Sequence, residues 1–151
     1  MAGSTVYQDY IECAAYLRGF GLETLQRREE KTAFWINLFN VLVIRGVIAL
    51  GIRNSVKEIL RFFRSILCRI GDFSFSADDI EHGILRANHR LPNSWPRPFG
   101  SSDLRSDLIA DEVDPRIHFA LVCASSSCPP IARCTRPKTS MPSSRFRGRP
   151  F

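Results

Sequence analysis

From Lys31 to about Leu50 the chain is apolar on nearly every helical face, the pattern of a helix surrounded by its own protein. Upstream, Tyr7 to Leu25 carries Tyr10, Ile11, Ala14 and Leu17 at near-helical spacing. This predicts an amphipathic helix that Gly19-Phe20-Gly21 breaks, followed by a charged connector from Gln26 to Glu30. Downstream, Ile59, Leu60, Phe63 and Leu67 predict a second helix over Val56 to Ile70, basic on its outer side. Gly71-Asp72 predicts a turn, and Phe73-Ser74-Phe75 alternates like a short strand. Ser76-Ala77-Asp78-Asp79 has the spacing of a capping box, in which a serine oxygen meets an open amide at the positive helix end. The helix it opens runs to about His89, with Ile80 and Ile84 on its apolar side and His82, Arg86 and His89 on another. Leu91 to Asp111, rich in proline and serine, predicts a long irregular connection. Asp114-Pro115 then breaks the chain, and Ile117 to Cys123 predicts a strand. Both its faces are apolar apart from His118, which predicts a central strand covered on both sides.

These elements predict an α+β fold: a helix-rich single domain packed on a small β-sheet that includes Ile117 to Cys123. With 151 residues and 44% hydrophobic content, the chain can bury one core. Residues 1–30 form an N-terminal helical segment, 31–131 the core, and 132–151 a basic tail expected to be disordered. Ala33 to Ile52 is long enough to raise the question of a membrane span. Asn37, Asn40, Arg45, Gly46 and Gly51 argue against one, since arginine at a bilayer centre costs about 2.5–3.5 kcal/mol.

Charge narrows the partners. The net charge of +6 comes from Arg133, Arg136, Lys138, Arg145, Arg147 and Arg149, a stretch with no acidic residue. The remainder holds 15 basic against 15 acidic residues, so no nucleic-acid partner is expected, only a protein or a small molecule. The first residues lack the pattern of a signal peptide, which predicts a cytoplasmic location.

Candidate chemistry gathers between Asp114 and Pro130, where a histidine, two cysteines and three serines crowd together. Strand parity points Cys123 away from His118. Cys128 follows the Ala124-Ser125-Ser126-Ser127 link, which can fold back to either face. Cys128 is therefore the candidate nucleophile, with His118 or His82 as base and Asn37 or Asp114 as orienting partner. The opposing reading has His118 and Cys128 packed at the end of a core strand, and Asn37 and Asn40 anchoring neighbouring backbone. The five cysteines do not make a disulfide scaffold, their spacing does not favour zinc, and no cofactor motif occurs.

Three segments, Lys31 to Asn40, Asp79 to Arg86 and Asp114 to Pro130, resemble in order and spacing the signature blocks of the domain-of-unknown-function 547 family. The resemblance covers about Thr24 to Ile131 and implies no established activity. Plant members with coiled-coil, glutaredoxin or signalling regions imply an interaction or redox setting. The matched positions are Trp35, Asn37, Asn40, His82, Arg86, Asp114, Arg116, His118, Cys123 and Cys128. Of these, Trp35, Asn40, Arg86, Asp114 and Arg116 are candidate binding residues.

After Ile131 the residue pattern departs from the family's usual tyrosine and Pro-Glu-Asn-Ile/Leu-Asp helix start. Arg136 to Ser144 can be encoded CGC CCG AAA ACA TCG ATG CCC AGC TCG. Read from the third base, that string gives Pro-Glu-Asn-Ile-Asp-Ala-Gln-Leu. A frameshift near Cys134 is therefore expected, leaving the core incomplete; an intact frame on resequencing would refute it. Two functions follow from the whole sequence. One is a protein-interaction or scaffolding module with Leu91 to Asp111 as a contact surface. The other is a thiol-dependent enzyme with a papain- or transglutaminase-like site at Cys128.

Overall fold

The computed structural model describes residues 14–90 and 97–122, together with Glu12. Its centre is helix α1, Arg28–Ala49. Glu30 starts this helix by accepting from the Arg27 backbone amide (3.4 Å) and from its guanidinium (2.7 Å). The acids of the first turn, Glu29 and Glu30, also suit the positive end of the helix. Gly51 stops it: its φ of 64° reverses the chain, and the amides of Gly51 and Ile52 return to the carbonyls of Ile48 and Val47. Trp35, Ile36, Phe39, Leu42 and Val43 on α1 are buried and form the middle of the core. By length and composition α1 could also cross a membrane, a test that core helices of soluble proteins pass as well.

Before α1, residues 14–16 are helical and lead into 3₁₀ turns at Leu17–Gly19 and Leu22–Thr24, so the expected break falls at Gly19-Phe20-Gly21. After it, the helix expected over Val56 to Ile70 does not form as one piece. A 3₁₀ turn at Val56–Glu58, helix α2 (Phe62–Ser65) and strand β1 (Leu67–Ile70) take its place. Leu60 and Leu67, which the helical spacing put on the apolar face, are 87% and 55% exposed. Arg61, at φ 57°, turns the chain between the first two pieces. Strand β1 pairs antiparallel with β2 (Phe73–Ser76), Ile70 opposite Phe73 and Cys68 opposite Phe75. Gly71 takes the positive φ (54°) that begins the tight hairpin turn.

The expected capping box is present and reciprocal. The Ser76 hydroxyl accepts from the Asp79 amide (3.0 Å), and the Asp79 carboxylate accepts from the Ser76 amide (2.9 Å). The helix behind it is wound as a π-helix over Asp79–Leu85, with Arg86 and Asn88 donating to carbonyls five residues back. It packs on α1 and on β2.

The strand expected from Ile117 does not form: Ile117–Ala120 is helix α3, and the described residues through Val122 lie outside the sheet. Asp114 causes this. Its side chain accepts from the Arg116 amide (2.9 Å) and its carbonyl from the Ile117 amide (3.0 Å), while Pro115 contributes no amide that needs a partner. Ile117, Ala120 and Leu121 then meet the core at helical spacing, and His118 and Phe119 turn outward. The fold is α+β, helix-rich with a two-stranded antiparallel sheet. Cys123, Cys128 and the basic tail lie outside the described residues.

Candidate functional site

The polar residues of the three signature blocks sit on α1, the π-helix and the turn into α3. Asn40, in the middle third of α1, holds the C-terminal end of α3 from within. Its amide nitrogen donates to the Ala120 carbonyl (2.9 Å), and its oxygen accepts from the Val122 amide (2.9 Å). A side-chain amide carries one donor side and one acceptor side, so it satisfies two backbone groups as a strand neighbour would. Asn37, one turn earlier, is half-buried and has a partner of its own.

Asp114 and Arg116 pair with each other across the turn into α3, with Nη2 to Oδ2 at 2.6 Å and Nε to Oδ1 at 2.9 Å. The guanidinium holds the Asp114 carboxyl down at a pKa of about 2. The Arg116 side chain is 88% exposed, so the pair shapes the turn and adds little stability. His118 is exposed rather than buried between sheet faces, and its ring meets Phe119 edge-on at 5.6 Å. Phe119 itself is 77% exposed.

On the π-helix, Glu81 accepts two hydrogen bonds from Arg86 (2.9 and 3.0 Å) and lies 3.9 Å from His82 Nε2. Burial pushes the His82 pKa down, and the neighbouring acids Glu81 and Asp78 oppose that shift. Trp35 is 2% exposed and packs edge-on against Phe75 (5.1 Å) and Phe34 (5.2 Å), which makes it a core residue. Among the catalytic candidates, then, His82 faces Glu81, His118 faces Phe119, and Cys128 lies outside the described residues. The described residues include no cluster of three or more His, Cys, Asp or Glu side chains placed to hold a metal.

Three structural residues escaped the sequence reading. Asn88, buried at φ 56°, exchanges two hydrogen bonds with the backbone of Phe99. Phe99, 2% exposed, lies over Gly83, where any Cβ would come within 2.6 Å of its ring. Arg105 then ties the connection down. It pairs with Asp103 (2.8 Å) and Asp79 (3.3 Å), donates to the Ser74 carbonyl (2.9 Å), and covers the Phe99 ring at 4.5 Å. Asp103 and Arg105 shift each other's pKa apart through that pairing, down and up respectively. The signal was available: Asn shortly past a helix end tolerates the left-handed region better than most residues, and Asp103-x-Arg105 repeats the spacing of Asp114-x-Arg116.

The described part of the connection, residues 97–111, is thus a strap fastened at Asn88, at Arg105 and at Ala110, whose amide reaches the Ile84 carbonyl (3.0 Å). Comparison with curated proteins and with solved structures gave no match. A family profile does match, over residues 22–141, from the turn before α1 through the strap and beyond Ile131, where the likeness was expected to end. With most of its length inside that match, the chain belongs to the family described as "Protein of unknown function, DUF547".

Proposed function

We propose that this domain is a protein-interaction module that presents a fixed turn, Asp114 to Val122, to a partner. The observation that carries the reading is the Asn40 amide, which holds Ala120 and Val122 from inside while Phe119 stays 77% exposed. A protruding aromatic on held backbone loses little freedom when a partner covers it, which is how interface anchors concentrate binding energy. Leu104, 78% exposed on the strap, adds a second apolar projection within the contact surface expected from Leu91 to Asp111.

The test is a photo-crosslinking phenylalanine analogue at position 119, followed by a binding isotherm with the purified crosslinked partner. Phe119→Ala should weaken that binding about tenfold with the melting temperature unchanged. Equal affinity for Phe119→Ala would refute the reading. Alkylation rates against pH separate the module from a thiol enzyme: a depressed thiol pKa at Cys128, lost in His118→Ala, would favour the enzyme.

A further inference from the structure

The broken segment after α1 encloses an open groove of about 360 Å³, lined by residues from Val56 to Arg64 and closed on one side by Asp78. Val56 and Phe62 are buried in its wall, and Leu60 stands 87% exposed at its mouth. The wall is firm. Phe63 stacks on Phe39 of α1 with centroids 6.1 Å apart and meets Phe62 edge-on at 5.2 Å. Arg61, in the left-handed region, turns the chain between the 3₁₀ turn and α2, and residues of both elements line the groove.

Charge at this groove is lopsided. Lys57, Arg61 and Arg64 line it against Asp78 alone, with Glu58 the other acid of the segment. Arg64 already pairs with Asp78 (3.1 Å), whereas Lys57 and Arg61 take part in no ion pair among the described residues. We propose that the groove docks an acidic amphipathic segment of a partner protein. Its apolar residues would fill the concavity beside Leu60, and its carboxylates would meet Lys57 and Arg61. This deepens the interaction-module reading and rests on it, at a surface separate from the Phe119 turn.

The lining favours a peptide over the other polyanions. Bases need open aromatic faces to stack on, but Phe62 is sealed and Phe63 is already stacked on Phe39. A membrane surface needs a projecting apolar face, and here the apolar residues other than Leu60 form a hollow.

The experiment titrates the isotopically labelled full chain with a synthetic helix-forming peptide bearing Leu at i, i+3, i+4 and i+7 and Glu elsewhere. Amide shifts should gather at residues 56–64 and 78. Lys57→Gln with Arg61→Asn should weaken binding about tenfold, since Asn tolerates the left-handed backbone and only charge is lost. Leu60→Ala, at an exposed position, should weaken it without any effect on folding. Shifts confined to other residues would overturn the groove and leave the module reading to the Phe119 experiment. Equal binding of a scrambled peptide, tighter binding to phosphatidylserine vesicles or single-stranded RNA, or no binding would overturn the acidic-segment partner.

Discussion

Asn88 donates from its side-chain nitrogen to the Phe99 carbonyl (2.9 Å) and accepts at its side-chain oxygen from the Phe99 amide (2.9 Å). One left-handed residue at the end of the π-helix thereby satisfies both backbone groups of a buried residue eleven positions later. Asn88→Ala should cost about 2–4 kcal/mol, from two unsatisfied buried groups plus alanine in the left-handed region. Asn88→Gly should recover about 1 kcal/mol of that, because only the backbone part is relieved. Urea unfolding of the pair measures the difference. Equal midpoints would remove the backbone contribution from the account.

Gly83 and Phe99 make a second, independent check on the strap. A helical Gly→Ala change ordinarily gains up to about 1 kcal/mol. Here the new methyl would sit 2.6 Å from the Phe99 ring, which is sealed in the core and cannot swing aside. Gly83→Ala should therefore destabilise by about 1–3 kcal/mol, the range for overpacking. Adding Phe99→Leu should recover part of the loss, and a thermal-unfolding double-mutant cycle reads the coupling. Additive effects would mean the ring does not occupy the glycine's space.

Asn40 makes the corresponding prediction for the turn before Val122. Asn40→Asp keeps an acceptor for the Val122 amide but turns an oxygen toward the Ala120 carbonyl, while Asn40→Ala removes both bonds. The amide of Val122 should exchange with solvent faster in Asn40→Ala than in Asn40→Asp, and α1 should keep its protection in both. Unchanged exchange at Val122 in Asn40→Ala would show that other contacts hold the turn.

The sequence showed most where the chain obeys local rules. The run of apolar residues around Phe39, the reciprocal box of Ser76 and Asp79, and the Gly71-Asp72 turn are each decided by neighbours a few positions away. Ile117 to Cys123 misled because its apolar residues are too dense to show a period. The choice between strand and helix fell to Asp114 and Asn40, which act through hydrogen bonds that hydrophobicity does not register. Val56 to Ile70 misled for a related reason. Arg61 adopts a backbone conformation that its residue type disfavours, and the pairing of Cys68 with Phe75 outweighs the helical spacing. Asn40 as an anchor of neighbouring backbone was readable from two amides on an apolar helix; the strap's attachment through Asn88 and Arg105 needed tertiary partners to be seen.

His82 sets a pH dependence whose sign follows from burial. Its side chain is 17% exposed, and desolvation lowers its pKa from the ordinary 6.5, against the pull of Glu81 and Asp78 and with help from Arg86 and Arg64. The unfolded chain therefore binds this proton before the folded one does as pH falls. Stability associated with neutral His82 is fully present above pH 6.5 and is lost as pH drops below that value toward the folded pKa. Urea midpoints should fall between about pH 7.5 and 5.5, a window above the ordinary titration of carboxylates. His82→Gln should flatten that slope. A slope that survives His82→Gln would show that this imidazole is as well solvated folded as unfolded, and that the wall formed by the π-helix and its arginine neighbours does not exclude water there.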